Sequence, residues 1–188
     1  MTSPQPAPPH LALVGLMGAG KSAVGARCAT RLGRPFLDTD ELVEVLAAAT
    51  VAEIFATEGE AGFRARERDA VAQAAASPEP LVVACGGGAV VDAENRRRLR
   101  GAAVVIWLRA SPEVLAARVG RGEGRPLLAG AVPAGGVLPA NVQGVLGALA
   151  ADRDDAYRAA AHATVATDGW TLDDVTDAVL KEYARCTG

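Results

Sequence analysis

Gly15-Leu16-Met17-Gly18-Ala19-Gly20-Lys21-Ser22 fills every fixed position of G-x-x-x-x-G-K-[ST]. Its glycines let the backbone wrap closely enough for N–H groups to point inward at phosphates. Lys21 offers a point charge to β- and γ-phosphates, and the Ser22 hydroxyl can ligate Mg²⁺. A strand-like run, Leu11–Val14, precedes the loop and an Ala-rich amphipathic stretch follows it. A helix beginning near Lys21 would add the positive end of its dipole. The lysine, the serine and these flanks weigh against a chance Gly-rich turn, so the segment is a nucleotide-phosphate site.

The next chemistry lies in Asp38-Thr39-Asp40, at the end of the candidate strand Phe36–Asp38. Ligands of open α/β sheets bind outside the carboxyl ends of strands. Both carboxylates are therefore expected beside the phosphate loop if the second strand neighbours the first. One can hold Mg²⁺, directly or through water, while the other accepts the proton of an attacking hydroxyl. A solvated turn with Asp40 as the N-cap of a helix entering Glu41-Leu42-Val43 accounts for the same residues. The strand-like run Leu81–Ala84 ends not in Asp but in Cys85-Gly86-Gly87-Gly88, a backbone that another group can approach closely. Cys85 itself reads as a small buried hydrophobe. No N-K-x-D string occurs, which excludes a GTPase base-reading site.

Three arginines extend the set. Glu67 follows Arg64 by three residues and can orient it along one helix face. Arg125 lies in Gly120–Pro139, a Gly- and Pro-rich stretch of the kind that forms a lid, and a lid arginine can close on transferring phosphates. Arg153 stands among Asp152, Asp154 and Asp155, whose charges would dampen its potential.

The elements that must position these residues follow from composition and pattern. The chain has 188 residues, 50% of them hydrophobic and 22% charged, which suits one domain with a buried core. Aromatics are 4%, leaving Ala, Val and Leu to build that core. A net charge of -3 argues against a dedicated nucleic-acid binder. Cys28, Cys85 and Cys186 show neither paired nor metal-ligand spacing, which suits a reducing, cytoplasmic setting. Residues 1–10 read as a disordered Pro-rich tail without signal-peptide features, and no apolar run is long enough to cross a bilayer. Leu11–Val14, Phe36–Asp38, Leu81–Ala84, Ala103–Leu108 and Ala163–Ala166 are strand candidates. The stronger ones are apolar on both faces, as in strands covered on both sides. Helix-like stretches at Lys21–Leu32 and Glu60–Ala76 lie between them, with start signals at Ser111-Pro112-Glu113 and at Thr171 with Asp174. This alternation predicts a three-layer α/β fold, a five-stranded parallel sheet with helices on both faces, over residues 11–188.

GLMGAGKS at 15–22, DTD at 38–40, GFRxxE at 62–67, GGG at 86–88, RPLL at 125–128 and R-x-x-x-Y at 153–157 stand together in one order. In that order and approximate spacing the chain resembles shikimate kinases, from Leu11 to about Asp168. The resemblance implies a P-loop fold of the nucleoside-monophosphate-kinase type with a mobile lid over about 120–138. It implies transfer from ATP, with Mg²⁺, to the 3-hydroxyl of shikimate, giving shikimate 3-phosphate and ADP in aromatic amino acid biosynthesis. The implied catalytic residues are Asp40, Lys21 and Arg125. ATP contacts would come from Gly15, Gly18, Ala19, Gly20, Lys21, Ser22, Ala23, Arg118 and Arg125, and metal ligands from Ser22 and Asp38. Substrate contacts would come from Asp40, Arg64, Glu67, Gly86, Gly87, Gly88 and Arg153, with Arg64 and Arg153 gripping the carboxylate and Glu67 bracing Arg64. Partners would be ATP and shikimate alone, with no nucleic acid or membrane, acting on a monomer. Ala129–Gly147 departs from the family's pattern in being Gly-, Ala- and Pro-rich and poor in charge, which bears on the lid's length and exit. Two other readings are another small-molecule kinase on this fold, such as a gluconate or nucleoside-monophosphate kinase, and a nucleotide-binding module that has lost catalysis.

Overall fold

Five runs of apolar residues, His10–Val14 (β1), Phe36–Asp38 (β2), Val82–Ala84 (β3), Ala103–Arg109 (β4) and Ala163–Ala166 (β5), form one sheet in the order β2-β3-β1-β4-β5. Every neighbouring pair is parallel, with Leu11 opposite Val82 on one side of β1 and opposite Val104 on the other. The computed structural model describes residues 9–119 and 142–188. Most of the predicted tail and all of the predicted lid, with Arg125, lie outside the described residues.

The central strand β1 is buried along its whole length, as is β4 up to Leu108, which is why neither alternates polar with apolar residues. Between β1 and β2 the chain forms α1 (Lys21–Leu32), and it forms α4 (Ala93–Ala102) between β3 and β4. These two crossovers run in opposite directions across the sheet, so right-handed connection places their helices on opposite faces. The C-terminal helix, Leu172–Thr187 (α7), joins α1 on one face, tied to it by ion pairs from Arg27 to Asp173 and from Arg31 to Asp177. The other face carries α4 and Val142–Ala160 (α6), with Pro112–Val119 (α5) against α6 and Val51–Ala75 (α3) against α4. The three-layer parallel architecture expected from the pattern is the one observed.

Local details differ from the expectations. The sheet does not place β2 beside β1, because β3 lies between them. Helix α1 must span two strand positions to link β1 to β2, so it crosses β3 and still brings the loop at its N-terminus over to the end of β2. His10 belongs to β1 and not to the tail: its Nδ1 accepts the Leu81 N–H at 3.0 Å, and it is buried. The helix expected at Glu60–Ala76 begins earlier, at Val51, where Thr50 and Glu53 form a capping box, and it bends at Gly59 (φ 69°). The start signals at Ser111 and Thr171 are borne out, Ser111 Oγ accepting the Val114 N–H and Thr171 forming a capping box with Asp174. Val142–Gly147, read as part of a Gly-rich lid exit, is already helical, and Gly147 packs near Pro112.

A second apolar cluster, separate from the main core, joins Val43 of Thr39–Ala47 (α2) to Ile54, Phe63 and Ala70 of α3. It fixes the α2–α3 corner beside the carboxyl ends of β2 and β3.

Candidate active site

The phosphate loop turns between β1 and α1, outside the carboxyl end of the central strand, at the switch point where the chain departs to either side of β1. Gly15 opens it in close approach to the Leu108 carbonyl of β4, where a Cβ would collide. The Ala19 N–H donates to the Leu16 carbonyl at 3.1 Å and closes the turn, and Lys21 Nζ donates to the same carbonyl at 3.1 Å. Gly18, Gly20, Lys21, Ser22 and Ala23 face a cavity of ≈ 530 Å³ that continues toward α3. Arg118, on α5, also lines it and is held by Thr167, donating to Oγ1 at 2.9 Å and to the backbone carbonyl at 2.8 Å.

One carboxylate ties the loop to the next element. The Ser22 hydroxyl donates to Asp38 Oδ2 at 2.6 Å, and the Asp40 N–H donates to Asp38 Oδ1 at 3.0 Å. Asp38 is thus the N-cap of α2, which corrects the alternative reading of Asp40 as that cap. Asp40 falls in the first turn, where its side chain faces inward. Its Oδ1 is buried without a hydrogen-bond partner among the described residues. Burial pushes its carboxyl up to about 6, and the negative charges of Asp38 and Glu67 add to the rise against the pull of Lys21 and Arg64.

The glycine run after β3 supplies space and one carbonyl. A Cβ on Gly86 would lie 2.5 Å from Asp40 Oδ1 and 2.7 Å from Glu67 Oε1. A Cβ on Gly88 would lie 2.6 Å from Arg64 Cζ, because the guanidinium lies against the Gly88 backbone. Gly87 and Gly88 face the cavity, whereas Gly86 sits behind the two carboxylates. The Gly86 N–H donates to Thr39 Oγ1 at 2.8 Å, which locks this turn to the start of α2.

Arg64 donates to Glu67 Oε2 at 2.8 Å and to Glu60 Oε1 at 3.0 Å, so the expected brace by Glu67 is present. Glu67 is 2% exposed; burial raises its pKa against the pull of Arg64, and its Oε1 has no partner among the described residues. Arg153 approaches from α6, 6% exposed, and its Nη1 donates to the Gly87 carbonyl at 3.0 Å. The three neighbouring aspartates do not pair with it. Asp154 pairs with Arg158 at 2.5 Å, and Asp152 and Asp155 are exposed, because adjacent helical positions fall on other faces. Among the described residues Arg153 therefore forms no salt bridge.

Sequence reasoning missed part of the wall. Val51 and Phe55 of α3 and Glu44 of α2 line the same cavity, and the Phe55 and Phe63 rings pack 4.8 Å apart, inclined by 33°. Phe55 carries no local signal, since only the packing of α3 on α2 turns it toward the site. Thr39, fully buried, accepts the Gly86 N–H, a role that the spacing of the two aspartates conceals. Cys85 behaves as expected, its thiol pushed up to about 12 by burial.

The donor set suits a magnesium ion. Ser22 and Asp38 offer a hydroxyl and a carboxylate oxygen at one spot beside the phosphate loop, and Mg²⁺ characteristically takes one or two protein oxygens together with phosphates and waters. No group of three or more His, Cys, Asp or Glu side chains that could hold a metal occurs among the described residues.

Comparison with known proteins places these residues in context. The chain matches the family described as shikimate kinase over residues 17–184. A shikimate kinase of Symbiobacterium thermophilum is 51% identical over 176 residues, covering 92% of this chain and 95% of that protein. One from Burkholderia pseudomallei is 39% identical, covering 93% and 90%. Among solved structures, a shikimate kinase from Acinetobacter baumannii in complex with shikimate superposes with a TM-score of 0.85 at 37% identity, covering 95% of this chain and 94% of that one. A gluconokinase from Sinorhizobium meliloti shares the fold, with a TM-score of 0.58 at 21% identity, 96% of this chain and 95% of that one being covered.

Proposed function

We infer that this chain, which belongs to the shikimate kinase family, transfers the γ-phosphate of ATP to the 3-hydroxyl of shikimate, giving shikimate 3-phosphate and ADP. The observation that carries this is a single cavity with two chemically distinct ends. At one end lie the phosphate loop and Lys21; at the other, Arg64 and Arg153 flank the glycine turn, and Asp40 stands between. Paired guanidinium groups suit a carboxylate, which planar donors bind in fork geometry. The Phe55 and Phe63 rings offer an apolar wall to a six-membered ring.

The geometry and the family resemblance together support the following division of labour. Arg64 and Arg153 hold the acceptor's carboxylate at the far end, which turns its hydroxyls toward the phosphate loop. Asp40, with one buried oxygen unpaired among the described residues, is suited to accept the hydroxyl proton as the oxygen attacks phosphorus. Its pKa near 6 leaves it ionised, yet basic, at neutral pH. Lys21 neutralises charge on the β- and γ-phosphates as the bond to the leaving oxygen lengthens. Ser22 and Asp38 would hold Mg²⁺, which when bound neutralises and aligns the phosphate oxygens. By the family resemblance Arg118 would pack against the adenine, and Arg125, outside the described residues, would meet the transferring phosphate. The reading extends to a cytoplasmic monomer acting on small molecules alone; none of the described helices is long and apolar enough to cross a membrane.

The test is an ADP-release assay with shikimate, gluconate and AMP offered separately, with Mg²⁺ and ATP. Turnover is expected with shikimate alone. Turnover with gluconate or AMP but not shikimate would assign another acceptor, and binding of ATP without turnover of any would assign a lapsed module.

A further inference from the structure

Tyr157 lies one helical turn beyond Arg153 on α6 and is 1% exposed. Its ring stacks on Trp107 of β4, with centroids 5.4 Å apart and planes inclined by 17°. Its hydroxyl donates to the Gly87 carbonyl at 2.5 Å, the same oxygen that receives Arg153 Nη1 at 3.0 Å. Burial raises the phenol's pKa far above its ordinary value, against the pull of Arg153, so the hydroxyl stays protonated and remains a donor.

A carbonyl oxygen has two acceptor sites, and here both are filled, one from each of two side chains on the same helix face. The ring, pressed against the central part of the sheet, fixes where the hydroxyl points. The hydroxyl fixes the Gly87 carbonyl, and that carbonyl sets where the Arg153 guanidinium sits. If the ring mattered only as core filling, phenylalanine would serve equally well, and no hydroxyl would need to be buried.

The two arginines of the site are braced in chemically different ways. Arg64 leans on two carboxylates, Glu67 and Glu60, which neutralise it in part. Arg153 leans on a neutral carbonyl and forms no ion pair among the described residues, although it lies within the field of Glu67. A neutral brace is weaker than an ionic one, so it needs a second fixed donor to hold its own orientation. Without it, the arginine side chain keeps rotamer freedom that the ligand must suppress on binding.

We propose that Tyr157 is a positioning residue of the carboxylate clamp, holding the Gly87 carbonyl and through it the Arg153 guanidinium in the place where the acceptor's carboxylate arrives. The assignment rests on the reading of the acceptor as shikimate.

The test is Tyr157→Phe, which keeps the stack on Trp107 and removes one hydroxyl. The shikimate KM should rise about five- to tenfold, equivalent to about 1–1.4 kcal/mol, the size of one hydrogen bond. The ATP KM should not change, and kcat should stay within about twofold of the unmodified enzyme, because no transition-state contact is lost. In an Arg153→Ala background the same substitution should add nothing further to the shikimate KM, since the residue it positions is gone. An unchanged shikimate KM, an equal rise in the ATP KM, or a full effect persisting without Arg153 would each overturn the proposal. So would loss of folding in Tyr157→Phe, which would make the hydroxyl a general structural need. Absence of shikimate turnover in the unmodified enzyme would instead overturn the functional reading on which the proposal stands.

Discussion

The Asp40→Asn substitution removes a charge that the fold holds against its own preference. The carboxyl moves from 3.8 to about 6 on folding, chiefly through burial and then through the charges of Asp38 and Glu67. At about 1.36 kcal/mol for each pKa unit, the ionised carboxylate costs the folded state roughly 3 kcal/mol once pH exceeds both values. The sign follows from the direction. A raised folded pKa gives stability that is complete below the unfolded value near 3.8 and is lost as pH climbs through 6. Asparagine is neutral throughout, so the variant should exceed the unmodified protein by about 2–3 kcal/mol at pH 8, or about 5–10 °C in Tm for a chain of this size. The gap should shrink steadily between pH 6 and pH 4. Urea or thermal unfolding in chelator-containing buffer, without nucleotide, measures it. Activity should move the opposite way, with kcat down by about 10²–10⁴-fold as the proton acceptor disappears. A variant no more stable than the parent at pH 8, or a gap of equal size at pH 4.5 and pH 8, would refute the reasoning.

Gly88→Ala places a Cβ 2.6 Å from Arg64 Cζ and must push the guanidinium aside, so steady-state assays should show the shikimate KM raised about tenfold or more with the ATP KM unchanged. His10 and His162 each accept a backbone N–H at Nδ1, from Leu81 at 3.0 Å and Val105 at 2.9 Å, and burial lowers both pKa values. Their stabilisation should be whole above about pH 6.5 and should fade as pH drops through their folded values, which urea midpoints in the Asp40→Asn background would show without the opposing carboxylate. Of the three thiols, Cys28 and Cys85 are buried, each pushed up to about 12, while Cys186 is exposed. A native thiol titration should therefore find one fast-reacting group, rising to three in denaturant, and two fast groups under native conditions would contradict this packing.

The legible parts of the fold were those set by local chemistry. Strands apolar on both faces announced a covered parallel sheet, and the glycines with Lys21 and Ser22 announced the phosphate loop, because both patterns are complete within a few consecutive residues. Helices α2 and α4 carried weaker signals. The first is short and hidden behind its acidic cap, and the second is a run rich in arginine whose apolar contribution is mainly Leu99. Strand order was invisible, since nothing in Phe36–Asp38 says whether it pairs with β1 or with β3.

The sequence by itself determined which groups are present: a phosphate loop, two aspartates a residue apart, three glycines after a strand, and arginines spaced along the chain. Their types define what can bind, because side-chain charge and backbone freedom are properties of the residue. What those groups face was decided only by the tertiary structure. Asp38 became the cap and Asp40 the buried carboxylate because α2 starts at Thr39, two residues earlier than a helix capped by Asp40 would. Arg153 escaped the aspartates around it because the helix turns them to other faces. Tyr157 met Gly87, seventy residues away, because α6 packs against the sheet at that point. Contacts at such separation depend on chain topology and burial, which no local stretch of residues encodes.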